Sequence, residues 1–300
     1  KVFATPRRLA VAFANVSALQ EDIEETFYGP AVKTAFDAQG NPTNAAIGFA
    51  RGKGADVSAI TRETTPKGEV ICVRVQKKGV PTENILPAYL VKLILEMPFP
   101  KKMRWGGNAI PFARPIHWIA VLFGGKVLPL EVDGIHSGKH SYGHRFLNPE
   151  KFQFDSLEEY LDQSQKRFLQ VDPQARKLNI KKQIETLAGQ VGGIALDDPK
   201  LLDEVNYLVE YPVGLRCDFE PKYLNLPKEL LVITMRHHQK YFPIGDSKGE
   251  LMPHFIAISN MKTEDGLEIK RGNERVLRAR LEDGRFFFEE DKKQKLEDYL

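Results

Sequence analysis

Cysteine is scarce: 300 residues contain two, Cys72 and Cys217. Two thiols so far apart do not build the cross-linked framework of a small secreted domain, and they fit a reducing cytoplasm. No run approaches the eighteen apolar residues of a membrane-spanning helix, so no membrane role is expected. The opening stretch KVFATPRRLAVAFANVS sets basic residues before apolar ones, as a secretion signal does. Its apolar part is short, is broken by Asn15 and is followed by no small-residue cleavage site, so it reads as a strand. A large excess of one charge is also lacking, since 43 Lys and Arg against 40 Asp and Glu leave +3. A complete phosphate loop is missing too. GFARGKG (residues 48–54) is one residue short between its glycines and has Gly where the Mg²⁺-binding Ser or Thr would stand.

What is present suits a globular chain with a substantial core: 42% hydrophobic residues, and a length for two domains or one large elaborated one. The chain opens on Lys1 rather than Met and stops inside a helix-like run, which suggests a piece of something larger. Charge is unevenly spread. Residues 101–145 hold seven Lys or Arg (Lys101, Lys102, Arg104, Arg114, Lys126, Lys139, Arg145) against two acids, with four histidines and both tryptophans. Residues 151–210 lean the other way, with eight basic residues against eleven acidic. A polyanion would therefore prefer the first region.

Hydrophobic periodicity predicts strands around residues 9–17, 70–79 and 213–219, and helices over 43–52, 82–97 and 227–238. HWIAVLFGGKVLPLEV (117–132) predicts a β-hairpin turning at Gly124-Gly125, and QKYFPIGDSKGELMPHFIAIS (239–259) a second one. Between residues 155 and 210 the pattern is helical, with Ser or Asp caps and Pro at the helix starts. The last forty residues also read as helix. Leu277, Leu281, Gly284 and Phe288 share one face there, and Phe287 is expected to extend it. Glu274, Arg278 and Glu282 are spaced for ion pairs along that helix.

Several motifs invite chemistry. Gly245-Asp246-Ser247-Lys248-Gly249 matches the nucleophile pattern G-x-S-x-G, but it joins two strands where that motif needs a strand and then a helix. A polar hairpin turn is the better reading. His136, His140 and His144 recur every four residues, yet Gly138 and Gly143 disfavour a helix and no Cys or carboxylate completes a metal set. His237 and His238 read as polar residues at a helix C-terminus. More suggestive are TPRRL (5–9), MRWG (103–106), FARP (112–115) and GHRF (143–146), which set a guanidinium beside prolines or aromatics. Such arginines bind phosphates or stack on bases, or else brace loops by bonding carbonyls and buried carboxylates.

Taken in order, TPRRLAV, FYGPAVKTAFDAQGNPTNAAIGFARGKG, PFPKKMRWG, FARPIHWIAVLFGGKVLP, YGHRFL, LVEYPVGL, MRHHQKYFP and GNERVLRARLEDGRFFFEEDKK resemble one family, the β subunit of the bacterial tetrameric glycyl-tRNA synthetase. The resemblance runs end to end and is weakest over residues 155–210. It implies an α2β2 enzyme that joins glycine to tRNA(Gly). ATP and Mg²⁺ would sit at the α subunit, and no cofactor on this chain. It also implies an α+β fold: a mixed-sheet body (1–154 and 211–262) like the B3/B4 domain of the phenylalanyl-tRNA synthetase β subunit. A helical insertion (155–210) and a helical connector (263–300) toward a further HD-like domain would complete the chain. The candidate tRNA or interface residues are Arg7, Arg8, Lys101, Lys102, Arg104, Trp105, Arg114, His144, Arg145, Lys240, Arg271 and Arg275, and no catalytic residue or metal ligand is assigned. Alternative readings are a purely structural module docking the α subunit, or a hydrolase that edits mischarged tRNA.

Overall fold

The computed structural model describes residues 1–66, 68–107, 110–293 and 297. The chain is α+β and divides into two compact units, residues 15–98 and the remainder (1–14 with 99–300). The larger unit begins with a two-stranded antiparallel hairpin, β1 (Val2–Thr5) and β2 (Arg8–Val11).

In the smaller unit, β3 (Ile23–Ala31), β4 (Thr61–Thr65) and β5 (Gly68–Lys77) form an antiparallel sheet in the order β3-β5-β4. Two helices, α1 (Val32–Ala35) and α2 (Asn44–Gly52), pack on it through Ala35, Ala46 and Ile71. A third, α3 (Thr82–Glu96), matches the predicted apolar helix, yet none of its residues is fully buried.

The larger unit resumes with short strands: β6 (Ile119–Ala120), β7 (Leu122–Phe123), β8 (Lys126–Val127), β9 (Glu131–Val132), β10 (Ile135–Gly138), β11 (His140–Tyr142) and β12 (Lys151–Gln153). As predicted, β7 and β8 are joined by Gly124-Gly125, whose φ angles of 59° and 77° suit the turn that matches strand twist. The helices α4 (Leu157–Lys166), α5 (Pro173–Gly189) and α6 (Pro199–Asn206) follow. Ser156, Asp172 and Asp198 cap them by accepting from backbone amides, each cap contributing about 1 kcal/mol.

The centre of this unit is a four-stranded antiparallel sheet, β13-β15-β16-β14, built from β13 (Ile194–Ala195), β14 (Val213–Asp218), β15 (Phe242–Gly245) and β16 (Leu251–Ser259). Alternation along β16 sends Ile256 to one face and Phe255 and Ala257 to the other. The first face packs on Ile180, Ile184, Leu201 and Val205 of α5 and α6. The second packs on Leu231 of α7 (Lys228–Ile233), Met235 of the π-helical turn Thr234–His238, and Leu277 and Leu281 of α8 (Leu267–Asp291). Residues from 155–210, 211–262 and 263–300 thus pack together around one sheet. The turn Gly245–Gly249 is the hairpin loop between β15 and β16, and Asp246 Oδ1 holds it by accepting from the amides of Lys248 and Glu250 at 2.8 Å.

Helix α8 departs from expectation in two respects. Phe288 joins the buried stripe, but Phe287 does not: it is 63% exposed, as Phe286 is at 60%. At 100° per residue Phe287 falls beyond the edge of the stripe that Leu277 and Leu281 define. The Glu274–Arg278–Glu282 ladder is also replaced, by two other pairs along the helix and two that leave it. Arg278 reaches Glu220 at 3.1 Å, Lys270 takes Glu274 at 3.5 Å, and Arg285 and Lys222 take Glu282 at 2.7 and 3.0 Å.

Candidate nucleic-acid interface

The described residues of 99–118 contain little regular structure and are held by their aromatics. Met103 and Phe112 exchange backbone hydrogen bonds at 3.0 Å, Phe99 packs edge-on to Phe112, and Trp105 Nε1 donates to the Phe112 carbonyl at 3.0 Å. Trp105 is therefore a half-buried brace of this loop. The same bracing turns Lys101, Lys102, Arg104 and Arg114 to solvent. Arg104, Arg114 and Arg145 make no salt bridge with any described carboxylate.

Arg8 and His144, both candidates from sequence, belong to the interior. Arg8 forms a salt bridge with Glu210 in which the two side chains are 4% and 1% exposed. The Thr5 hydroxyl donates to the same Glu210 oxygen at 2.6 Å. Arg8 Nη2 donates to the carbonyls of Tyr142 and Gly143, and its guanidinium lies 5.6 Å from the Trp118 ring centroid. A buried cation is tolerated because its charge and most of its N–H groups are satisfied. His144 is fully buried, and its Nδ1 accepts from the amides of Phe146 and Leu147 at 3.3 and 3.2 Å. That acceptor role assigns the ring proton to Nε2.

These anchors shape the surface above them. Gly143 has to be glycine, since a Cβ there would lie 2.1 Å from the Asn148 carbonyl oxygen and 2.8 Å from Arg167 Cβ. Arg7 and Arg145 are exposed on this rim. Burial lowers the Arg7 pKa and Glu210 pulls it up, while the like charges of Arg8 and Arg145 push it down. With Glu210 neutralising Arg8, this rim keeps two guanidinium charges, those of Arg7 and Arg145.

The other candidates lie apart from this rim. Lys240 pairs with Glu204 at 2.8 Å and borders an open cleft of about 430 Å³ with Tyr241, Asn273 and Val276. On α8, Arg271 pairs with Glu268 at 3.1 Å, and Arg275 is exposed. Among the described residues no group of three or more His, Cys, Asp or Glu is placed to hold a metal, and no helix is long and apolar enough to cross a membrane. His136 sits on β10, 3.6 Å from Glu131.

Sequence reasoning overlooked three residues. Arg176 is fully buried and ties Ala4, Gln170 and Asn206 together through their carbonyls. Its position in register with Ile180 and Ile184 was the available signal. Glu210 had no local signal, because its partner lies 202 residues away. Phe146, 67% exposed beside Arg145, could have been found in GHRF itself.

The exposed set is cationic and aromatic, suited to holding phosphates and bases by ion pairing and stacking. Comparison with known proteins identifies the family. The family model described as "Glycyl-tRNA synthetase beta subunit" matches residues 1–300. The chain is 49% identical over its whole length to the glycine–tRNA ligase beta subunit of Syntrophotalea carbinolica, covering 44% of that protein. It is 47% identical over 99% of its length to those of Syntrophus aciditrophicus and Geobacter sulfurreducens, covering 43% of each. The chain thus spans less than half the length of these curated relatives. With a family match along every residue, this chain belongs to the glycyl-tRNA synthetase beta-subunit family.

Proposed function

We propose that this chain works within the β subunit of an α2β2 glycine–tRNA ligase in the cytoplasm, supporting ATP-dependent attachment of glycine to tRNA(Gly). It does so by binding the tRNA and by assembling with the α subunit. In this reading glycine, ATP and Mg²⁺ are held at the α subunit and this chain carries no cofactor. A body related to the B3/B4 domain of the phenylalanyl-tRNA synthetase β subunit is part of the same reading. The observation that carries it is the exposure of Arg104, Arg114 and Arg145 without a described carboxylate partner, in a stretch of the chain with an excess of basic residues. Guanidiniums left free of internal carboxylates are available to phosphates.

Replacing Arg104, Arg114 or Arg145 by Ala is expected to weaken tRNA binding. Each lost phosphate contact lowers the slope of log affinity against log salt by about 0.7–0.9. Unchanged tRNA affinity in all three variants, with association to the α subunit lost, would overturn this reading in favour of a docking module. One observation supports that second reading: α3 buries none of its residues fully and leaves Tyr89 and Leu93 66% and 60% exposed. Exposed apolar patches of this kind mark protein contacts.

A further inference from the structure

The loop 142–148 is built to hold one aromatic ring still at the surface. Its backbone groups are directed inward. Gly143 N donates to the Glu150 carbonyl, His144 N to the Arg167 carbonyl and Asn148 N to the His144 carbonyl, each at 3.0 Å. The buried His144 ring accepts the amides of Phe146 and Leu147, which fixes the backbone from which Phe146 projects. Phe146 is nonetheless among the most exposed large apolar side chains of the protein. Nothing in the core requires an aromatic there, and water disfavours it. The Arg145 guanidinium lies 5.8 Å from its ring centroid. The turn carrying Arg7 is tied to the same loop, because the neighbouring Arg8 donates to the Tyr142 and Gly143 carbonyls.

We infer that Phe146, with Arg145 and Arg7, forms a subsite for one unpaired RNA nucleotide, whose base stacks on the Phe146 ring while its flanking phosphates meet the two guanidiniums. The inference rests on the proposed tRNA-binding role and narrows it to a single-stranded element. Inside a duplex both faces of a base are covered by its neighbours, so an exposed ring on a rigid loop reaches only a base that is splayed out. An aromatic face accepts any base, whereas the two arginines position the backbone, so the subsite reads strandedness rather than sequence. The cation beside the ring serves twice, since it ion-pairs with phosphate and also lies against the aromatic face.

The test uses this chain and an RNA hairpin carrying a short single-stranded 3′ tail with 2-aminopurine in the tail, compared with the same hairpin made blunt. The native chain is expected to bind the tailed RNA more tightly than the blunt one and to quench the tail fluorescence. Phe146→Ala should weaken tailed binding by roughly tenfold and abolish the quench, while Phe146→Tyr keeps both. Arg145→Ala should weaken binding and lower the salt slope by about one contact, leaving part of the quench. The Phe146 side chain is exposed, so Phe146→Ala should keep the native near-ultraviolet circular dichroism, which checks its fold. If Phe146→Ala leaves affinity and quench unchanged while Arg104→Ala or Arg114→Ala still weakens binding, the subsite is overturned and the tRNA-binding role stands. Failure of the native chain to bind either RNA would overturn both.

Discussion

Replacing Glu210 by Leu should be among the most damaging single changes available in the larger unit. Glu210 is the only carboxylate among the described residues that pairs with Arg8, and their side chains are 1% and 4% exposed. The change removes the countercharge and leaves Arg8 Nη1 and the Thr5 hydroxyl without their acceptor. Removing one member of a buried pair costs about 3–5 kcal/mol, mostly the penalty of the stranded charge, whereas an exposed pair such as Lys166–Asp162 is worth about 0.3–0.5. Arg8→Met alone should be damaging for the mirrored reason, and it also frees the Tyr142 and Gly143 carbonyls. The double variant Arg8→Met/Glu210→Leu strands no charge. It should therefore lose less than the two single losses added together, by a coupling of about 0.5–3 kcal/mol. Urea unfolding followed by tryptophan fluorescence measures this, since Trp105 and Trp118 both lie in the larger unit and the Trp118 ring touches the Arg8 guanidinium. A loss below about 1 kcal/mol for Glu210→Leu, or simple additivity in the double variant, would refute the account.

Three further outcomes follow from packing and charge. Gly143→Ala forces a Cβ into the Asn148 carbonyl, and the clash should cost about 1–3 kcal/mol, read as a lower urea midpoint. On α8, Leu281→Ala should cost about 2–5 kcal/mol while Phe287→Ser changes stability by less than about 0.5, because the first side chain is buried and the second exposed. Glu282 accepts from the Tyr223 hydroxyl, Lys222 and Arg285, which hold its pKa at about 2 against the usual 4.5. Because the folded value is the lower, whatever Glu282 contributes to stability is fully present above pH 4.5 and is lost as pH falls toward 2. Carboxylate NMR should show it ionised at pH 3, and Tyr223→Phe should raise its midpoint.

Local signals were legible where the cause is local. The Ser156, Asp172 and Asp198 caps, the prolines that follow two of them, and the Gly124-Gly125 turn all stood in the sequence, because each acts within a few residues of itself. The hairpin that disqualifies Ser247 as a nucleophile was legible for the same reason. Helix α3 was legible as a helix but not as an exposed one, since apolar composition does not say what lies against it. Of the candidate contacts, a pattern of arginines beside aromatics could not separate Arg104, which faces solvent, from Arg8, which is consumed by Glu210.

The sequence by itself determined the family, the α+β character and most of the helices, because periodicity, capping and turn chemistry are short-range. Only the tertiary structure decided which charges are spent and which are free. Arg8, Arg176 and Arg278 meet partners far away in sequence, so only the packed chain supplies those partners, and for the buried Arg8 and Arg176 the cost of burying an unsatisfied charge demands them. The same packing buries His144 and leaves Phe146 outside, two residues apart in one loop, because a ring that holds two amides from within leaves the next aromatic only the surface.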